Sequence, residues 1–139
     1  MQASRVFDTI DTHTAGEPTR IITTQLDWTA SPGGVRERRD VFAADHDRVR
    51  QLAMREPRGH AGMFGAVPVP PESPSVDLGL FFMDPKGYLD MCGHGTIGVV
   101  TAFIETGRLE PKEQFRIETP AGLVEARPDV EDGAVRSVT

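Results

Sequence analysis

Short runs of apolar and β-branched residues alternate with turn-forming clusters through most of this chain. Val6 to Asp11 reads as a short strand, His13 to Pro18 as a turn-rich stretch, and Thr19 to Leu26 as a second, β-branched strand. Ser31-Pro32-Gly33-Gly34 is a loop. From Arg36 to Arg55 the spacing becomes helical, with Phe42, Val49, Leu52 and Ala53 as a loose apolar face among Arg, Asp, Glu and Ala. That predicts one exposed amphipathic helix, ended by Glu56-Pro57-Arg58-Gly59-His60.

Phe64 to Val69 and Val76 to Met83 read as strands divided by Pro68, Pro70, Pro71 and Pro74. A hairpin-like turn, Asp84-Pro85-Lys86-Gly87, then delivers Tyr88 to Met91 to Cys92. The apolar run Ile97 to Ile104 predicts a buried helix with Gly107 as its C′ residue. Phe115 to Thr119, Leu123 to Arg127 and Ala134 to Val138 read as strands, with Asp129, Glu131 and Asp132 in a polar turn. The second helix is apolar nearly all round, and such a helix is normally wrapped by sheet or by other helices.

Composition narrows the class. The 139 residues fit one domain, and a chain of this size buries roughly 68–70% of its unfolded surface. Apolar content of 38% and charged content of 26% are globular values. A net charge of −6 argues against nucleic acid or an anionic membrane as partner. Met1-Gln2-Ala3-Ser4-Arg5 lacks the pattern of a signal peptide, and no apolar run approaches the ~20 residues of a membrane span. The expected location is cytoplasmic.

The candidate chemistry centres on Cys92, the single thiol, within Met91-Cys92-Gly93-His94-Gly95-Thr96. A lone cysteine is commonly a small buried hydrophobe. This one stands at a helix entrance, where unpaired N–H groups and the dipole favour the thiolate and hold a carboxylate. The flanking glycines let backbone approach a ligand closely. The Gly-rich run lacks the lysine of a phosphate loop and the spacing of a dinucleotide fingerprint. His13, His46, His60 and His94 show no metal-ligand spacing, so no metal is expected, and His46 among charged neighbours reads as a solvated helix residue. Cys92 with His94 resembles a cysteine hydrolase pair only superficially, since such pairs are assembled from distant segments.

Three ordered segments carry a resemblance. Asp11-Thr12-His13-Thr14-Ala15-Gly16-Glu17-Pro18-Thr19-Arg20, then Glu56-Pro57-Arg58-Gly59-His60, then Met91-Cys92-Gly93-His94-Gly95 resemble signatures of the proline racemase family, which includes 4-hydroxyproline epimerases and trans-3-hydroxyproline dehydratases. The resemblance runs from about Phe7 to Gly122. It implies an α/β (α+β) fold in which a sheet curls around a central apolar helix, one half of a two-domain diaminopimelate-epimerase-like structure with substrate in the cleft. It implies that Cys92 is one of two catalytic acid/base groups. The backbone N–H groups of Gly93 and His94 then hold the substrate carboxylate, and the His94 side chain lies near the ring nitrogen. Phe64 matches the aromatic position that packs on the proline ring, and phenylalanine there resembles racemases of unsubstituted proline. No cofactor is implied, since a secondary amine is poorly suited to imine chemistry.

Family members are about twice this long, with a second motif (Pro-Cys-Gly-Thr in racemases, threonine for cysteine in dehydratases) in the other half. Residues 1–139 therefore read as the N-terminal domain, expected to need a complementary C-terminal half as partner beside proline or hydroxyproline as substrate. Dehydration of trans-3-hydroxyproline and a non-catalytic truncated domain stay open as alternatives.

Overall fold

The computed structural model describes residues 5–29 and 31–139. The reading of Met1 to Ser4 as lacking a leader lies outside the described residues, which hold nine strands and three helices. The first two strands, β1 (Thr9–Thr14) and β2 (Glu17–Ile22), form an antiparallel hairpin with Thr14 opposite Glu17. Its two-residue turn is Ala15-Gly16, both at positive φ (51° and 92°), the geometry whose twist suits a tight hairpin. The expected strand at Val6 to Asp11 thus begins later, and the turn is shorter than His13 to Pro18.

The predicted single helix over Arg36–Arg55 is two helices, α1 (Val35–Asp45) and α2 (Asp47–Met54). The break falls at His46 (φ −131°, ψ 18°), whose N–H closes α1 on the Phe42 carbonyl and whose carbonyl accepts the Val49 N–H. The break has a tertiary cause. Asp47 pairs with Arg50 (2.7 Å) and accepts the Tyr88 hydroxyl (2.7 Å), and the Arg50 guanidinium also donates to the carbonyls of Asp84 and Pro85. That network fixes α2 on the turn before Tyr88. Val35, Phe42, Val49 and Met54 are buried, whereas Leu52, assigned to the apolar face, is 43% exposed.

Five more strands complete the main sheet: β3 (Gly65–Val69), β4 (Leu78–Met83), β5 (Tyr88–Leu89), β6 (Phe115–Thr119) and β7 (Gly122–Ala126). The order is β1-β2-β3-β4-β6-β7, with β5 paired to the far end of β4. The pairs β2/β3 and β4/β6 are parallel, so each needs a crossover. Helices α1 and α2 make the first, and α3 (Gly93–Glu105) makes the second.

Each crossover covers one face of the sheet. Leu78, Leu80 and Phe82 of β4 pack with Ile21, Ala66, Ile117 and α3, while Phe81 and Met83 pack with Val35, Phe42, Val49 and Met54. Every residue of β4 is buried, as expected of a strand covered on both faces. Full burial of each such side chain stabilises by roughly 1.5–3 kcal/mol.

Helix α3 ends as expected, with Gly107 at φ 76° and the Arg108 N–H returning to the Phe103 carbonyl (2.8 Å). It also meets a second hairpin, β8 (Pro128–Glu131) and β9 (Ala134–Val138). Strand β8 occupies what reads as a polar turn. The true turn is Asp132-Gly133, again at positive φ (52° and 79°), and Val130, Val135 and Val138 turn toward α3.

Candidate active site

The first turn of α3 is the centre of the site. Cys92 is its N-cap, in extended backbone (φ −146°, ψ 106°). Its carbonyl accepts both the N–H and the Oγ1 hydroxyl of Thr96, each at 2.9 Å. The Thr96 bond is the first of the helix, so the N–H groups of Gly93, His94 and Gly95 have no helix carbonyl to donate to. The Cys92 side chain is nearly closed off, with the residue 7% exposed. A methyl group on Gly95 would lie 3.1 Å from Sγ and 3.2 Å from the Phe82 ring, so the inner wall is tight. A methyl group on Gly93 would meet nothing within 4 Å. The site opens on the Gly93 side.

His94 and Phe64 complete this mouth. The Cys92 sulfur lies 3.5 Å from His94 Nδ1 and 3.6 Å from Nε2, and the His94 ring meets Phe64 edge to face with centroids 4.6 Å apart. Two positions apart, thiol and imidazole do touch, because the N-cap is extended and the helix begins directly after it. Phe64 is half-buried, and its carbonyl accepts the Arg20 N–H (2.8 Å), which fixes it beside β2.

The electrostatics correct one expectation. A helix entrance was expected to favour the thiolate, yet burial pushes the Cys92 thiol up. The Gly95 N–H at the sulfur pulls the other way, and the negative charge of Glu17 adds to the rise. Burial is the larger influence and works against the thiolate.

The other signature segments have structural partners. Arg20 makes a two-pronged ion pair with Asp11 (2.9 Å to each oxygen) and donates to the carbonyls of Ala53 (3.0 Å) and Arg58 (2.6 Å). One arginine thereby ties the β1–β2 hairpin to the loop after α2. Asp90, just ahead of the cysteine, is gripped by Arg39 of α1. Gly98 leaves room for the Thr12 side chain, and the Thr14 hydroxyl donates to the His94 carbonyl (3.1 Å). Thr14 and Glu17 were visible only as members of a signature, without roles. A separate cleft of about 280 Å³, lined by Trp28, Phe42 and His46 among others, contains none of these residues. His46 is exposed there. No group of three or more His, Cys, Asp or Glu among the described residues is placed to hold a metal, and none of their helices is long and apolar enough to cross a membrane.

A family model described as proline racemase matches residues 9–139. The chain belongs to the proline racemase family. It is 49% identical over 143 residues to a 4-hydroxyproline 2-epimerase of Streptosporangium roseum, and 42% identical over 142 residues to a proline racemase of Clostridioides difficile. All of this chain is covered in both comparisons, against 42% of each relative. A hydroxyproline epimerase from Agrobacterium vitis, solved with bound trans-4-hydroxy-L-proline, superposes with a TM-score of 0.86 at 26% identity, covering 99% of this chain and 42% of that one. The chain thus spans about two fifths of the length of these proline racemase family relatives.

Proposed function

We propose that residues 1–139 form the N-terminal domain of a two-domain, cofactor-independent racemase or epimerase that acts at the α-carbon of proline or hydroxyproline. The observation that carries this reading is the Cys92 thiol at the start of α3, beside unpaired N–H groups, with His94 at 3.5 Å. The fold proposed with it is a sheet curled around α3, the diaminopimelate-epimerase-like half; packing of α3 against β1, β2 and β3 on one side and β9 on another supports it.

The substrate carboxylate sits on the N–H groups of Gly93 and His94, where the helix dipole and unpaired donors favour an anion. Phe64 covers one face of the pyrrolidine ring, and the His94 ring faces the ring nitrogen. Inversion needs one group to remove the α-proton and another to deliver a proton on the opposite face. Cys92 supplies one of these groups and a cysteine of the complementary C-terminal half supplies the other, one starting as the thiolate base and the other as the thiol donor. After one turnover the roles are exchanged. The complementary half closes the open Gly93 side to water and so protects the carbanion-like intermediate from solvent protons.

The test is α-proton exchange of L-proline and trans-4-hydroxy-L-proline in deuterated water, using this chain mixed with a C-terminal half that carries the second cysteine. Exchange is expected, and Cys92→Ser is expected to remove it. Undiminished exchange with Cys92→Ser overturns the assignment, and loss of water from trans-3-hydroxyproline without exchange of L-proline points to a dehydratase.

A further inference from the structure

Two carbonyl groups, those of Ala53 and Arg58, accept no backbone N–H among the described residues. Ala53 stands in the last turn of α2, and the N–H one helical turn further on would come from residue 57, a proline that has none. For Arg58 the corresponding N–H, of Gly62, turns instead to His60 Nδ1 (3.1 Å). The Arg20 guanidinium reaches across from β2 and donates to both carbonyls, at 3.0 Å and 2.6 Å. Its other edge lies on the two Asp11 carboxylate oxygens, which leaves the planar fork one orientation.

The same residue holds the far end of this loop through its backbone, where the Arg20 N–H donates to the Phe64 carbonyl (2.8 Å). We infer that Arg20 is a positioning residue: by bracketing segment 55–64 between guanidinium and main-chain N–H, it sets the Phe64 ring against His94. This inference rests on the reading of Phe64 as the side chain that covers the pyrrolidine ring.

Between those anchors the loop has little freedom. The Gly59 N–H returns to the Arg55 carbonyl (2.8 Å), and a methyl group on Gly59 would lie 2.2 Å from the Met54 carbonyl oxygen. Only glycine lets the chain double back so closely on α2. The Met63 N–H then returns to the His60 carbonyl (3.0 Å), and Met63 is buried. The position of the Arg58 carbonyl therefore carries through to Phe64, whose ring meets His94 with centroids 4.6 Å apart. An exposed ion pair alone would be worth little. Here the arginine side chain is 17% exposed, and its carbonyl bonds, more than the Asp11 pair, fix the loop. Lysine keeps the charge but lacks the fork that meets a carboxylate and two carbonyls in one geometry. Of the groups that Arg20 bonds, only the Phe64 carbonyl belongs to a residue of the mouth, so its effect on the site passes through Phe64.

The test reads the Phe64 ring through its neighbour. The His94 imidazole proton signals, assigned by their loss in His94→Gln, are recorded by NMR for wild type, Phe64→Leu, Arg20→Lys and Arg20→Gln. Both Arg20 substitutions should move those signals toward their Phe64→Leu positions. Unmoved signals overturn the inference. The second readout is the L-proline concentration that half-protects Cys92, the single thiol, from iodoacetamide with the complementary half present. Arg20→Lys should raise it about two- to ten-fold, the worth of one aromatic contact, and should add nothing in a Phe64→Leu background. An equal rise in both backgrounds places the action of Arg20 elsewhere and overturns the inference. If neither Arg20 variant folds, Asp11→Asn, at a partner whose side chain is 55% exposed, decides by the same criterion. A Phe64→Leu protein protected at the wild-type concentration refutes the substrate role of Phe64, whereas the His94 signals are read without any substrate.

Discussion

Gly93→Ala separates stability from ligand binding at one atom. Gly93 is absent from the positive-φ positions, stands at the first position of α3, and would direct a methyl group into space with no atom within 4 Å. Replacing glycine at such a compatible position stabilises by about 0.4–1 kcal/mol, chiefly by restricting the unfolded chain. That corresponds to a melting temperature raised by about 1–4 °C for a domain near this size. The same methyl group enters the mouth in which the carboxylate is proposed to lie. Displacing a carboxylate from one charge-assisted N–H bond costs about 1.5–3 kcal/mol, or roughly 10- to 150-fold in affinity.

The variant is therefore expected to be at least as stable as wild type and to bind much more weakly. The neighbouring Gly95→Ala should do the reverse of the first effect. Its methyl group would lie 3.1 Å from Sγ and 3.2 Å from Phe82, and overpacking of about 1–3 kcal/mol outweighs a helix-propensity gain of about 1 kcal/mol. Thermal unfolding gives the stability arm. The binding arm is the concentration of L-proline or trans-4-hydroxy-L-proline that half-protects Cys92 from alkylation, with the complementary half present. A Gly93→Ala protein that is protected at the wild-type concentration would refute the cradle. A variant several degrees less stable would refute the open space from which the argument starts.

Arg50→Met should cost about 1.5–3 kcal/mol at pH 7, the worth of hydrogen bonds to a charged group, since it removes the main partner of an Asp47 carboxylate that is 29% exposed and keeps its Tyr88 and Gln51 donors. Arg50 is the main cause holding the Asp47 carboxyl well below the usual range. The stabilisation is therefore complete above the unfolded value of about 3.9 and fades as pH falls below it. Urea unfolding at pH 7 and pH 3 should show the gap narrowing in acid, and a constant gap contradicts the pairing. Thr19→Val removes a buried hydroxyl for which no partner is found among the described residues, so unchanged or higher stability, by up to about 1–2 kcal/mol, is expected. A loss beyond 1 kcal/mol (roughly one ordinary hydrogen bond) in the same unfolding assay reveals a partner. Wild-type Cys92 should alkylate more slowly than a free thiol at pH 7, because burial pushes the thiol up; equal or faster reaction means that burial does not dominate.

What could be read from the sequence was local. An extended residue followed by Gly-His-Gly and an apolar run is a helix start, and α3 begins where that rule puts it. Gly107 ends it for an equally local reason. The break at His46 was invisible because it answers to Asp47, Arg50 and Tyr88, brought together across some forty positions. Strand β8 was missed despite a usable signal, Asp132-Gly133 between Val130 and Val135, because the acidic residues around it read as a turn in their own right. The thiol's direction of shift needed burial, which a tripeptide does not encode. Thr14 needed a contact from the other end of the domain.

The last expectation is that this chain alone does not racemise L-proline. Inversion requires an acid or base facing Cys92 across the α-carbon, on the open Gly93 side. Among the carboxylates after α3, the anchorage of those on the β8–β9 hairpin argues against them. The Val135 N–H donates to Glu105 (3.0 Å), at the far end of α3 from Cys92. Thirteen residues of helix at 1.5 Å each separate the two ends by roughly 20 Å. Glu131 and Asp132 lie at the turn beside Val135, and Glu131 is paired with Arg136 (3.0 Å). Asp129 is exposed on the same hairpin. His94 touches the thiol itself, so it stands on the same side of the substrate. A polarimetric assay of the 139-residue chain should therefore stay at background, and the complementary half should restore inversion. Turnover by the chain alone at an ordinary enzymatic rate, about 1–10³ s⁻¹, would sink the two-half site, and a dimer in which a second copy supplies the opposing group would replace it.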